Sequence, residues 1–191
     1  MVNNLYNDLD YGLKNPKPKF LLSIIGGDSS HSKMDWETEK VLKTCLMKAA
    51  KISDSWIITS GTDDFVSQLV SDAVEEDSNY NNLTIMGICS QKKVYGSYPD
   101  LKLNGDTNPT NENKKLLHPI HSSFLFIQYK DEKDERKYRV NLENYIHKTL
   151  KIPLILVVID GSFIELQVIF ESLEKKIPIM IVVVRVLFSK Y

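Results

Sequence analysis

Two cysteines are all that this chain of 191 residues contains, too few for a disulfide scaffold or a metal knuckle. Cys45 and Cys89 both sit in apolar segments and are expected as small core residues of a protein in a reducing compartment. Charge of one sign is lacking as well. Twenty-four basic residues stand against 25 acidic ones for a net charge of −1, which excludes binding nucleic acid mainly through electrostatics. No apolar run approaches the roughly 18 residues that span a bilayer, and the longest, Ile177 to Leu187, is broken by Arg185. Met1 to Tyr11 carries Asn and Asp where a secretory signal needs basic and then apolar residues. Glycine is sparse, at eight residues, and forms neither a GxGxxG fingerprint nor a Walker A loop. These absences leave a cytosolic globular chain of one core, 42% hydrophobic.

What is present is alternation. Six short apolar runs, Phe20–Ile25, Trp56–Thr59, Leu83–Cys89, Phe124–Tyr129, Leu154–Ile159 and Ile179–Val184, are nearly continuous, as parallel strands covered on both faces should be. Helical spacing fills the intervals: Val41, Leu42, Cys45, Leu46 and Ala49 on a first helix, then Phe65, Val66, Leu69, Val70 and Ala73 on a second. Leu142, Tyr145, Ile146 and Thr149 mark a third, and Leu166, Ile169, Phe170 and Leu173 a fourth. The pattern predicts an α/β fold, a Rossmann-like open and mostly parallel sheet of about six strands with helices on both faces. Residues 1–17 read as a flexible lead-in and 18–191 as a single domain. Ser90–Lys115 reads as a long loop and Lys130–Lys137, eight charged residues whose signs cancel, as a solvated connection. The last strand has no helix after it, so the domain is expected to be truncated at its C-terminal end.

Ligands of such sheets bind outside the carboxyl ends of the strands. Three turns there carry small residues: Gly26-Gly27-Asp28-Ser29-Ser30, Ser60-Gly61-Thr62-Asp63 and Asp160-Gly161-Ser162. Each precedes a predicted helix whose N-terminal N–H groups favour an anion. The same residues also serve simply to turn the chain and cap a helix. His118 and His121 lack the Cys partners or helical frame of a zinc pair, so no metal is expected; His31 and His147 read as surface residues. Glu165 is a carboxylate beside the third glycine turn, at a helix start, where it suits the helix dipole better than acid–base catalysis.

In this order the segments resemble the SLOG domain of the TRPM (melastatin) cation channel family. They are Pro18–Gly27, Leu46–Ala50 with Trp56–Thr62, Ile85–Ile88, Leu117–Phe124, Lys137-Tyr138-Arg139 and Pro153–Glu171. The resemblance implies a cytosolic, Rossmann-like module that senses a nucleotide-derived ligand such as ADP-ribose and contacts channel subunits or the remainder of the channel. It assigns no cofactor, no direct membrane insertion and no catalytic residue. Plasma-membrane location would come only through the full-length channel. The ligand-binding residues it implies are Gly26 and Gly27, Gly61 and Thr62, and Gly161 and Ser162 in the three turns. Gly87 would let a base or ribose approach, and His121, Tyr138 and Arg139 would supply side-chain contacts, Arg139 as a bidentate phosphate donor.

The departures from the family fall on the pocket. The second turn carries Asp63 and Asp64 beside a helix start, and the later glycine position holds Phe65. The turn after the fifth strand reads Gly161-Ser162-Phe163-Ile164-Glu165, and about six residues are missing between Tyr138 and Arg139 relative to the family. A degraded site on a preserved scaffold is the expectation. Its alternatives are a ligand-free interaction scaffold and a phosphoribohydrolase-like enzyme using Glu165.

Overall fold

The computed structural model describes residues 18–27, 34–52, 54–77, 83–95, 114–127, 132–161 and 163–183. Six strands form one parallel sheet: β1 (Phe20–Gly26), β2 (Ser55–Thr59), β3 (Thr84–Ser90), β4 (Ser123–Ile127), β5 (Leu154–Ile159) and β6 (Ile179–Val182). Their spatial order is β4-β3-β2-β1-β5-β6. The first four strands build outward in one direction, and the chain then crosses back to lay β5 on the far side of β1. The carboxyl ends of β1 and β5, paired from Leu21↔Leu154 to Gly26↔Ile159, therefore flank the topological switch point.

Helices α1 (Trp36–Ile52), α2 (Phe65–Glu75), α3 (Glu132–Leu150) and α4 (Glu165–Glu174) occupy the intervals. Strand period sorts the core into two layers. Leu22 and Ile24 of β1 and Ile57 of β2 pack with Leu42, Leu46, Val66, Leu69 and Val70, so α1 and α2 cover one face. Leu21 and Ile25, with Trp56 and Ile58, pack with Val140, Leu142, Ile146 and Val168, so α3 and α4 cover the other. Each fully buried aliphatic side chain contributes roughly 1.5–3 kcal/mol.

Local signals explain several boundaries. The Asp35 carboxylate accepts from Thr38 N (2.9 Å) and Thr38 Oγ1 (2.6 Å), which starts α1 and holds the Asp35 carboxyl below its usual range. Lys151 (φ 54°) and Lys176 (φ 58°) take left-handed conformations immediately after α3 and α4, where glycine is the commoner choice.

Four expectations are corrected. The buried face of α1 is Leu42, Lys43, Leu46, Met47 and Ala50, with Val41 and Cys45 exposed, so the cysteine is no core residue. Lys43 lies on that buried face. Its ammonium meets Glu39 (2.7 Å), Glu76 (3.0 Å) and Asp72 (3.4 Å) in the seam between α1 and α2, where apolar spacing alone leaves no room for a lysine. Cys89 is buried, and its thiol is pushed up to about 12 chiefly by that burial and secondarily by Glu135. The charged run 130–137 is no mere connection, because α3 begins at Glu132 and carries it into the helix. Tyr138 and Arg139 therefore stand side by side on a continuous helix rather than across a rearranged loop. On α4 the stripe Leu166, Phe170 and Leu173 faces solvent, while Val168 and Ser172 face the sheet.

Residues 1–17 and 96–113 of the expected lead-in and long loop lie outside the described residues, as does His31. The described start of that loop is a 3-10 turn, Gln91–Lys93. His147 is half-buried, its Nδ1 beside the Ile152 carbonyl. Among the described residues no helix is long and apolar enough to cross a membrane.

Candidate functional site

The turns after β1 and β5 meet at the switch point. Gly27 N donates to both Ile159 O and Asp160 O at 3.2 Å, tying the two turns together. A Cβ on Gly26 would lie 2.7 Å from Ile159 O and 2.7 Å from Val66 Cγ2, so this glycine is required by the packing of β5 and α2 against β1. Asp160 adopts φ 47° and donates its N–H to Val182 O at 3.1 Å; a left-handed aspartate costs about 1 kcal/mol. Gly161 follows, with a Cβ position 2.9 Å from Val158 Cγ1. Ser162 lies outside the described residues. Phe163 projects into solvent and does not fill the crevice. Ile164, at the N-cap of α4, has no side-chain acceptor to offer the helix start, and Glu165 stands in its first turn.

The turn after β2 is built differently. Asp64 is the N-cap of α2, and its Oδ1 accepts from Ser67 N at 3.0 Å. Its Oδ2 accepts from Ser60 Oγ and from Thr62 Oγ1 (3.2 Å). Asp63 receives Gln68 Nε2 at 3.0 Å, and its N–H reaches Leu116 O at 2.8 Å. A protein carboxylate thus occupies the position that an anionic ligand would take at a helix start. Gly61 and Thr62 shape this self-filled cradle, Gly61 in the left-handed region at φ 78°.

His121 braces the cradle from behind. Its Nδ1 lies 2.9 Å from His118 O, a carbonyl that can only accept, so Nδ1 carries the proton. Nε2 then accepts from Thr59 Oγ1 at 2.7 Å, and Thr59 Oγ1 accepts from Gly61 N at 3.1 Å. His118 N returns to Gly61 O at 3.0 Å. This ring of bonds fixes His121 as a neutral imidazole. Burial pushes both histidines below the ordinary value of 6.5, outweighing the pull of Asp63 and Asp64 on His118 and of the His118 carbonyl and Asp64 on His121. The unfolded chain therefore binds protons that the folded one refuses. Stability contributed here is intact above pH 6.5 and declines as pH falls from 6.5 through the lower folded values. Urea midpoints between pH 7.5 and pH 5 should drop in the wild type and drop less in His118→Gln/His121→Gln. Equal slopes would contradict the assignment.

Three expected contacts lie elsewhere. Gly87, on β3, approaches a backbone rather than a ligand: its Cβ position is 2.5 Å from Gly61 Cα and 2.8 Å from Phe124 Cδ1. Tyr138 is exposed on α3. Arg139 is buried beneath the sheet, its Nε donating to Glu143 Oε1 at 2.8 Å and its Nη2 to Ser23 Oγ (3.2 Å), Ile24 O (3.3 Å) and Ile58 O (3.4 Å). Ser23 Oγ donates to the same Glu143 oxygen at 2.7 Å. These partners leave Arg139 a clamp between α3 and the ends of β1 and β2, with Nε and Nη2 already committed. Sequence reasoning missed Ser23, Glu143, Thr59, Ser67 and the capping role of Asp64. The i,i+4 spacing of Arg139 and Glu143 was the one visible signal of the clamp. Among the described residues no group of His, Cys, Asp or Glu is arranged to hold a metal ion.

Comparison with known proteins bears on this arrangement. A family model described as "SLOG in TRPM" matches residues 2–185. A transient receptor potential cation channel subfamily M member-like 2 protein of Nematostella vectensis is 26% identical over 195 residues, covering 86% of this chain and 12% of its own length. The trpm channel of Drosophila melanogaster is 24% identical over 188 residues, covering 87% and 9% respectively. Subfamily M member 6 of Homo sapiens is 25% identical over 182 residues, covering 86% and 9%. The chain spans only about a tenth of the length of these relatives.

Proposed function

The chain belongs to the SLOG domain family of TRPM channels, and on that premise we propose that it is a cytosolic ligand-sensing and subunit-contact domain of a TRPM-type cation channel, with a partly degraded ligand site. The ligand class is a nucleotide derivative of the ADP-ribose kind. Its binding place is the crevice between the β1 and β5 turns, formed by Gly26, Gly27 and Gly161, not the turn after β2; Ser162, also expected there, lies outside the described residues. The observation that carries this reading is the contrast between the two helix starts. Asp64 fills the one at α2, whereas the N-cap of α4, beside the switch point, is an isoleucine. A phosphate at α2 would face the carboxylates of Asp63 and Asp64, a like-charge cost on the order of 1 kcal/mol or more.

The same contrast favours a second reading, the ligand-free scaffold, if the α4 turn takes no anion. No catalytic role is proposed for Glu165; its β-carbon packs 3.3 Å from the Gly161 Cβ position, as part of the turn.

Thermal melts of the chain with millimolar ADP-ribose, AMP, NAD and cyclic ADP-ribose separate the readings. A ligand at a hundredfold excess over its Kd adds about 2.7 kcal/mol, which for a domain of this size raises Tm by roughly 5–10 °C. A shift with one of the four is the expected result. A cooperative melt that none of them moves would overturn sensing and leave the scaffold.

A further inference from the structure

We propose that residues 114–122 form an acid-released strap, held on the α2 turn while His118 and His121 are neutral and let go when the pair takes up protons. This is a conformational device of the fold and does not depend on the ligand reading above. The strap is tied at both ends. Lys115 N donates to Lys93 O at 2.8 Å at its start, and Ser122 N donates to Ile85 O at 2.9 Å at its end. Between these ties, Asp63 N donates to Leu116 O (2.8 Å), Thr62 and Leu117 form an antiparallel bridge, and His118 N donates to Gly61 O (3.0 Å). Leu116, Leu117, His118 and His121 are all buried.

Both rings are bonded as only neutral imidazoles can be. His118 Nδ1 accepts from Ile120 N at 3.3 Å, and His121 Nε2 accepts from Thr59 Oγ1 at 2.7 Å. An imidazolium has no acceptor. A proton on His118 sets N–H against the Ile120 N–H. A proton on His121 turns the Thr59 hydroxyl toward Ser67 Oγ, a longer contact at 3.3 Å. The ring centroids lie 6.1 Å apart, so a second charge would meet the first.

Burial holds both histidines below the ordinary 6.5. Against it, Asp63 and Asp64 of the turn and Asp72 and Glu75 of α2 favour a charged His118. The His118 carbonyl and Asp64 favour a charged His121, and the His118 ring opposes it. Phe124 of β4, 5.4 Å from the His121 ring, carries no charge. Lifting the strap returns both rings to water, where they titrate near 6.5. Opening therefore takes up protons and is favoured as pH falls. The strap leads directly into β4, which pairs only with β3 among the described residues and is half-buried from Ser123 to Phe126. An edge held this lightly can open while β1 and β5 stay paired.

Native-state amide hydrogen exchange of the 191-residue chain at pH 7.5 and pH 5.5, corrected for the intrinsic exchange rate at each pH, tests this. The amides of Asp63, Lys115, His118 and Ser122 report the strap, and those of Leu21 and Leu156 report the central sheet. Strap amides should be less protected than sheet amides at both pH values. Their protection should fall by up to about a hundredfold between the two, about tenfold for each histidine that titrates near 6.5 only when open. His118→Gln should cut the fall to about tenfold, and His118→Gln/His121→Gln should remove it; the single variant decides the matter if the double variant does not fold. Strap amides as protected as the sheet would mean that only global unfolding releases the histidines, which overturns the strap. Strap protection that ignores pH, or falls as far in His118→Gln as in the wild type, overturns its control by the histidines.

Discussion

Gly87→Val is expected to abolish cooperative folding, and Gly87→Ala to cost at least about 3 kcal/mol in urea denaturation. The cause is the contact between two backbones. A Cβ at residue 87 would come within 2.5 Å of Gly61 Cα, and a Cβ at residue 61 within 2.7 Å of Gly87 Cα. Backbone cannot swing aside as the end of a long side chain can. Neither strand can retreat alone: β2 and β3 are held in register from Trp56↔Thr84 to Thr59↔Gly87, and Gly61 is bonded to His118 and Thr59. Phe124 closes the third side. Truncating it in Gly87→Ala/Phe124→Ala should recover little, because the tightest contact remains. If Gly87→Ala melts like the wild type and loses a ligand response instead, Gly87 is a ligand contact and this packing account is wrong.

Removing one member of the Arg139–Glu143 pair should cost nearly as much. Both residues are buried, with Ser23 and two strand carbonyls completing the network. Glu143→Leu leaves a guanidinium under the sheet with no counter-charge, and Arg139→Met leaves an orphaned carboxylate. Each is expected to lose about 3–5 kcal/mol. Arg139→Met/Glu143→Leu should regain most of that loss, since two apolar residues of similar length replace the charges together. Urea denaturation of the four proteins gives the coupling directly. Additive losses would contradict a shared network. An Arg139→Met protein that keeps full stability and loses only ligand response would return Arg139 to the phosphate-binding role that the family resemblance implies.

The sheet was legible because buried parallel strands announce themselves. Leu154–Ile159 is a continuous apolar run, and its observed bounds coincide with those expected. The face of α2 was legible for a related reason: Val66, Leu69, Val70 and Ala73 are apolar, and all are buried. Failures came where charge or exposure contradicted hydropathy. Lys43 is buried with Glu39 of its own helix and with Asp72 and Glu76 of the α2 segment, and the latter two are a fact about the α1–α2 seam that the α1 sequence does not carry. Leu166, Phe170 and Leu173 read as core and lie outside it, since apolar spacing identifies a stripe without saying what the stripe meets.

The candidate site is legible in the sequence as a set of turns and much less as a set of contacts. Glycine turns at the strand ends marked where β1 and β5 end side by side. The sequence did not distinguish a glycine that admits a ligand from one that admits another backbone, as at Gly61 and Gly87. Nor did it show that Asp64, taken as an electrostatic burden on a phosphate site, is the cap that fills it. Both distinctions depend on contacts between residues far apart in the chain. Arg139 illustrates the same point: Ser23, which helps bind it, lies within an apolar run 116 positions earlier.

The proposed function places a ligand at the β1–β5 crevice and not at the α2 start. Backbone amide chemical shifts of the labelled chain, followed during titration with ADP-ribose, test it most directly. The account predicts saturable shifts at Gly26, Gly27, Asp160 and Gly161, with Gly61, Thr62 and Asp64 unmoved. Saturable shifts centred on Gly61, Thr62 and Asp64 would contradict it, because they would require the ligand to displace the carboxylate that caps α2.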